Sequence, residues 1–77
     1  GHGLAACGSM ELVASVLQLS KGFLFKNLNS EPVNSRIRTM ISEDKIPFET
    51  YDHQPRILTK ASFGFGDVNA CVVLKKL

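Results

Sequence analysis

The first 22 residues constrain the fold most, because they combine a helical repeat with an unusually wide apolar surface. Residues 4–21 read LAACGSMELVASVLQLSK, with apolar side chains at helical spacing over more than one face. A helix that is apolar over so much of its circumference is expected to be buried. Gly22 stands where a left-handed C-cap would end the helix, and Lys21 in the last turn suits the helix dipole. The sequence therefore predicts a buried helix over residues 4–21.

The last third of the chain predicts two antiparallel strands. Residues 57–62 and 70–77 are rich in β-forming residues, and the glycine-rich residues 63–69 join them. The apolar run from Cys71 to Leu74 is continuous, which is typical of a strand covered on both faces. One helix cannot cover both faces of a sheet. We therefore expect the missing cover to come from another chain or from chain outside these residues.

The middle of the chain is less decided. Residues 23–27 and 46–51 predict short strands, and Pro47 favours an edge position for the second. Residues 33–45 are compatible with a short helix around residues 35–41 or with a surface loop. With 77 residues in all, the chain predicts a single α/β domain, 1–77, whose core is marginal and incomplete on its own.

Charge and composition exclude several classes of protein. Nine Lys plus Arg against seven Asp plus Glu give a net charge of only +2, which is too weak a basic signature for a nucleic-acid partner. There is neither an apolar run of membrane-spanning length nor a signal peptide pattern, so we expect no membrane association and a cytoplasmic location. Cys7 and Cys71 lack the dense spacing of a disulfide scaffold and are expected to be buried free thiols.

Two histidines differ in their expected roles. His2 lies just before the helix, where the positive end of the helix dipole disfavours imidazolium. A neutral His2 could donate a hydrogen bond to a carbonyl or enolate oxygen, although a mobile chain end is an equally good interpretation. His53 lies in a polar loop and is assigned to solvent. Their spacing predicts no metal site, and no motif implies a cofactor.

The run Phe63-Gly64-Phe65-Gly66 is the second candidate feature. As an isolated Gly-x-Gly it is a weak dinucleotide signal, since strand-like residues follow it and the third glycine is missing. Two large aromatic residues alternate there with glycines, an arrangement suited to a hinged hydrophobic gate. Composition alone favours the simpler interpretation, in which the aromatic rings plug the core.

Together these features resemble the β-ketoacyl synthase family. The start, GHGLAACGSMELVASVLQL, is similar to the family segment that carries Gly-His-Thr/Ser-Leu-Gly-Ala-Ala-Gly. The end, SFGFGDVNACVVLKK, is similar to the family's C-terminal Ser-Phe-Gly-Phe-Gly-Gly-Thr-Asn-Ala loop and strand. Both motifs occur in the family's order, whereas residues 29–56 match only in length and character.

The resemblance implies a thiolase-like layered α/β fold, of which this chain is the last part of the C-terminal half. It implies decarboxylative Claisen condensation of an acyl thioester with malonyl carried on acyl carrier protein. In that chemistry His2 matches the second catalytic histidine and hydrogen-bonds the malonyl thioester carbonyl. Phe65 matches the gating phenylalanine and one oxyanion-hole donor, while Gly64 and Gly66 match its hinges, with Phe63 in the same loop.

The resemblance also implies partners and limits. The partners are acyl carrier protein, the remainder of the synthase and a second subunit in a homodimer. Neither cysteine matches the family's nucleophile, so this chain alone is expected to be inactive. Conceivable docking cations for the acidic carrier protein, each more readily explained as a solvated charge, are Lys21, Lys26, Arg36, Arg38 and Lys60.

Three departures from the family pattern leave alternatives open. Asp67 and Val68 replace Gly and Thr, and Ala61 replaces Asn. They are compatible with altered turnover or acyl choice. Asp67 and Val68 are also compatible with a non-catalytic ketosynthase-like subunit that pairs with an active partner. A free-standing interaction module is the third interpretation, although it would leave apolar surface exposed to solvent.

Overall fold

The helix predicted at the start of the chain forms. In the computed structural model, which describes residues 1–77, Leu4–Ala6 form a 3₁₀ turn that leads into helix α1, Cys7–Lys21. Gly22 ends α1 in the left-handed conformation, with φ 76° and ψ 56°, and its N–H donates to the carbonyl of Gln18. A Cβ atom at Gly22 would also lie 2.9 Å from Oε1 of Gln54. The predicted C-cap is therefore confirmed, and it needs glycine for its left-handed conformation, since the crowded atom is the end of the flexible Gln54 side chain.

Side chains from later in the sequence complete this helix end. Nε2 of Gln54 donates to the carbonyl of Leu19 at 3.0 Å. Nζ of Lys76 donates to Oε1 of Gln54 at 3.0 Å and to the carbonyl of Ser20 at 3.4 Å. The last carbonyls of a helix have no partner within the helix. These two side chains therefore satisfy two of those carbonyls and fasten the C-terminus of α1 to the rest of the chain.

The C-terminal strands pair as predicted, but they are longer than the sequence indicated. Strand β3, Ile57–Gly64, pairs antiparallel with strand β4, Val68–Lys75, in a register that runs from Ile57 opposite Lys75 to Gly64 opposite Val68. The connection is a three-residue turn, 65–67, rather than the predicted loop over residues 63–69. Gly66 and Asp67 adopt positive φ values of 80° and 58°, which allow the chain to reverse within three residues.

The middle of the chain forms little regular structure. Strand β1, Phe23–Leu24, pairs antiparallel with strand β2, Tyr51–Asp52, so the predicted strand over residues 23–27 is shortened. The strand predicted over residues 46–51 is wrong except at its last residue. Pro47 has no N–H to donate to a ladder, and its carbonyl accepts a single bond from the N–H of Asn27 at 2.7 Å.

Of the two alternatives for residues 33–45, the structure has the short helix. Helix α2 spans Ser35–Met40, and a 3₁₀ turn spans Glu43–Lys45. The side chain of Asn34 caps α2 by accepting a hydrogen bond from the N–H of Arg36 at 2.9 Å. An asparagine before the first helical residue is a favoured N-cap, which explains why the helix begins there.

Helix α1 packs on one face of strand β3 in the β3–β4 hairpin. Alternate residues of β3, namely Leu58, Lys60 and Ser62, are half-buried, and the residues between them are exposed. On the opposite face Phe63 is 78% exposed and Val73 is 66% exposed. One face of β3 is therefore covered, whereas β4 is exposed over its whole length except at Leu74.

The chain has almost no closed core. Only Ser15, Leu19 and Val33 are buried. The prediction of a buried helix is therefore wrong for this chain taken alone, because the hairpin covers one side of α1 and the apolar side chains elsewhere on the helix are exposed, namely Met10, Val13, Val16 and Leu17. The prediction of buried thiols is wrong for Cys71, which is exposed, while Cys7 is half-buried; both are free.

The architecture is that of an α/β segment: a helix with two antiparallel strand pairs. No helix has the length and apolar character required to cross a membrane.

Candidate active site

The two ends of the chain meet around one open cleft. The cleft has a volume of about 840 Å³ and lies between the residues that lead into α1 and the turn end of the β3–β4 hairpin. Its lining residues are His2, Leu4, Cys7, Gly8, Glu11, Ala61, Ser62, Phe63, Gly64, Phe65, Val68 and Ala70. The histidine and the aromatic loop, which are far apart in sequence, therefore line the same cavity.

His2 is exposed at the N-terminal side of the cleft. Its Nδ1 lies 2.6 Å from Sγ of Cys7, the first residue of α1. The backbone N–H of Gly3 donates to the same sulfur atom at 3.2 Å. The ring therefore has a partner at one nitrogen, and its other nitrogen, Nε2, has no protein partner. Such an arrangement allows the imidazole to act on a ligand through Nε2.

The aromatic loop forms the opposite side of the cleft. Phe63 and Gly64 are the last two residues of β3, and Phe65 and Gly66 begin the turn. Phe65 is fully exposed, so neither phenylalanine plugs the core of this chain, and the interpretation favoured by composition is wrong here. Gly66 has the positive φ of 80° that glycine tolerates best, whereas Gly64 is paired in the strand opposite Val68.

An ion pair joins the two sides of the cleft. Nζ of Lys60 on β3 lies 2.5 Å from Oε2 of Glu11 on α1, and it also donates to the hydroxyl of Ser62. The side chain of Lys60 is only 10% exposed, whereas that of Glu11 is 61% exposed. Lys60 is therefore unsuited to a role as a docking cation. The sequence does not predict this pair, because nothing local relates the two residues.

The sequence does not predict Cys7 as a neighbour of His2. Helical spacing gives no signal for this contact, because His2 precedes the 3₁₀ turn and lies outside α1. His53 is exposed as predicted, with its ring 6.2 Å from that of Tyr51. Asp67 lies in the turn with φ 58°, beside the lining residue Val68. No group of three or more His, Cys, Asp or Glu side chains has the geometry of a metal site.

Curated proteins similar to this chain share one activity in their names. The 3-oxoacyl-[acyl-carrier-protein] synthase 1 of Escherichia coli K12 is 35% identical over 77 residues, which is 100% of this chain and 18% of that protein. The chloroplastic 3-oxoacyl-[acyl-carrier-protein] synthase I of Arabidopsis thaliana is 32% identical over 73 residues, or 94% of this chain and 14% of that protein. An actinorhodin polyketide beta-ketoacyl synthase of Streptomyces coelicolor is 32% identical over 97% of this chain and 15% of its own length. No protein-family model and no solved structure matches the chain.

The two motifs and these relatives point to one class of protein, because the chain is similar to a segment of ketosynthases, which are condensing enzymes. More particularly, it is related over its whole length to the C-terminal part of 3-oxoacyl-[acyl-carrier-protein] synthases, which confirms the resemblance. The chain spans about one fifth of the length of the E. coli relative, 18%.

Proposed function

We propose that this chain supplies one side of the active site of a β-ketoacyl-acyl-carrier-protein synthase. The single observation that carries the proposal is the cleft shared by His2 and the loop from Phe63 to Gly66. The synthase would join an acyl thioester to malonyl carried on acyl carrier protein, with loss of carbon dioxide. Relatives whose names specify 3-oxoacyl-[acyl-carrier-protein] synthase activity support this reaction.

His2 would stabilise the charge that develops on decarboxylation. When the carboxylate leaves malonyl as carbon dioxide, the electron pair of the broken carbon–carbon bond moves into an enolate of the thioester. A hydrogen bond from Nε2 of a neutral His2 to the thioester oxygen is stronger for the enolate than for the ground-state carbonyl. The exposure of His2 to the cleft and the contact of its Nδ1 with Cys7 support this assignment.

Phe65 would gate the cleft, and its N–H would serve as one donor of the oxyanion hole. The exposed ring lies on a three-residue turn, and Gly66 provides a flexible position next to it. Gly64 would be the second hinge, although it is paired in β3 here. Phe63, which directly precedes Gly64 in β3, also lines the cleft.

The remaining parts of the site would come from outside these residues. They comprise the nucleophilic cysteine, the other histidine, the lysine and the further layers of a thiolase-like fold. The apolar side chains exposed on α1 and on the outer face of the hairpin support such cover.

We also propose acyl carrier protein as substrate carrier, a homodimer as the assembly and the cytoplasm as the compartment. The chain by itself would be inactive.

Replacing His2 with alanine in the intact protein tests the proposal. The variant should lose decarboxylation of malonyl-acyl-carrier-protein, measured as carbon dioxide release, while acyl transfer to the nucleophilic cysteine, measured by intact mass, persists. The matched control is His53→Ala, because His53 is exposed and lies outside the cleft. Retention of decarboxylation in the His2 variant would remove the assigned role.

A second candidate is a non-catalytic ketosynthase-like subunit that shapes the acyl tunnel of an active partner. Asp67 favours it, because a carboxylate in the turn next to the cleft opposes an anionic malonyl group. The protein sequence around this chain decides between the two candidates. A catalytic synthase must carry the cysteine, histidine and lysine there, and the subunit lacks one or more of them.

A further inference from the structure

The ammonium of Lys60 lies just behind the wall of the cleft. Its Nζ lies 2.5 Å from Oε2 of Glu11 and donates to the hydroxyl of Ser62, and both of these partners line the cleft. Lys60 does not itself line the cleft, and its side chain is only 10% exposed. The lysine therefore acts on the cleft through these two side chains.

Glu11 gives the cleft a negative charge. It is the only acidic residue in the lining, and no Lys or Arg lines the cleft. A further carboxylate, that of Asp67, lies in the turn beside the lining residue Val68. The side chain of Glu11 is 61% exposed, so its charge acts on a ligand in the open cleft unless a counter-charge offsets it. Lys60 is the only cation that pairs with Glu11.

We propose that Lys60 determines whether the cleft accepts an anionic substrate, because its ammonium neutralises the carboxylate of Glu11 on the cleft wall. The inference rests on the proposed function, in which the cleft receives the carboxylate of malonyl together with its thioester. An unpaired carboxylate would repel that group, whereas an ion pair presents no net charge to it. Lys60 is thus a specificity-determining residue that acts through Glu11 and contributes no atom to the reaction.

Replacing Lys60 with methionine in the intact protein tests this role, because methionine has a similar length and no charge. KM for malonyl-acyl-carrier-protein, measured from carbon dioxide release, should rise about fivefold. The value of kcat should change little, because the enolate carries the same single negative charge as the malonyl carboxylate. KM for acetyl-acyl-carrier-protein in acyl transfer should stay at the wild-type value, since the acetyl group lacks only the carboxylate and arrives on the same carrier.

Three further variants separate charge from structure. Lys60→Arg keeps the charge and should keep the wild-type KM for the malonyl substrate. Glu11→Gln combined with Lys60→Met removes both charges and should restore that KM. The matched control is Lys45→Met, which removes an exposed cation outside the cleft and should leave both KM values unchanged.

An unchanged malonyl KM in Lys60→Met would overturn the inference. An equal rise for both substrates would also overturn it, because it would indicate a purely structural role, and so would a double variant that fails to restore KM. A selective rise in Lys60→Met together with full decarboxylation in His2→Ala would keep this inference and refute the role assigned to His2. In a protein that carries out neither reaction the proposed catalytic function fails, and the dissociation constants of malonyl- and acetyl-acyl-carrier-protein replace the two KM values with the same expectation.

Discussion

Glu11 and Lys60 form one ion pair, but replacing Glu11 should reduce stability more than replacing Lys60. Removing the carboxylate with Glu11→Gln leaves the ammonium of Lys60, whose side chain is 10% exposed, with only the hydroxyl of Ser62 as a partner. A fully buried pair costs about 3–5 kcal/mol when it is broken in this way. Because Glu11 is 61% exposed, we expect a smaller cost, about 1–3 kcal/mol.

Replacing Lys60 instead of Glu11 should reduce stability less. Lys60→Met puts an apolar side chain of similar length into the half-buried site, and the exposed Glu11 can be hydrated by water. We expect a loss of less than about 1 kcal/mol for this variant, and a similarly small loss for the double variant Glu11→Leu, Lys60→Met. The double variant should thus be more stable than Glu11→Gln alone.

Hydrogen exchange of the α1 amides in the intact protein measures these effects locally. A cost of about 1–3 kcal/mol corresponds to an increase of about 5- to 150-fold in the exchange rate of α1 for Glu11→Gln. The exchange of β1 serves as an internal control. Equal effects of Glu11→Gln and Lys60→Met, or a double variant no more stable than Glu11→Gln alone, would refute the reasoning from unequal burial.

The remaining predictions concern the helix cap, the loop and the chain as a whole. Gly22→Ala should destabilise α1 by about 2–3 kcal/mol in chemical unfolding, because the left-handed conformation costs about 1–2 kcal/mol with a Cβ and the displaced Gln54 loses a cap bond worth about 1 kcal/mol. Phe65→Ala should alter the order or selectivity of acyl loading, measured by intact mass, and change stability by less than about 0.5 kcal/mol because the ring is fully exposed. Asp67→Gly should lower KM for the malonyl substrate by up to about fivefold, the equivalent of about 1 kcal/mol of relieved repulsion, and an unchanged KM would remove the charge argument. The isolated 77-residue chain should unfold in urea without a cooperative transition, because only three residues are buried, and a sigmoidal monomeric transition would instead support a free-standing interaction module.

The sequence predicted the elements whose signals are local. The apolar repeat of α1, the C-cap at Gly22 and the β-rich runs of the hairpin each depend on residues that lie within a few positions of one another. The turn was harder to locate, because Phe63 and Asn69 pair across the hairpin although they flank a glycine-rich run. The two-residue strands β1 and β2 are too short to show any periodicity.

Contacts between distant residues could not be predicted in this way. The hydrogen bonds of Gln54 and Lys76 to the end of α1 and the ion pair of Lys60 with Glu11 depend on the fold as a whole. The roles of His2 and Phe65 came from a resemblance of motifs, and they stay predictions. Their common cleft is a geometric observation that the motifs alone did not provide.

Helix α1 and the hairpin carry more apolar side chains than the packing within this chain buries. A sequence that encoded only the packing seen here would need an apolar stripe facing the hairpin, with polar residues on the remaining surface. Instead Met10, Val13 and Val16 are exposed, as are Ile57 and Val73 on the outer face of the hairpin. Two separate elements thus carry apolar side chains on the faces that point away from each other. Layers packed on both outer sides would bury these side chains, and the layered fold that we propose would place such layers there.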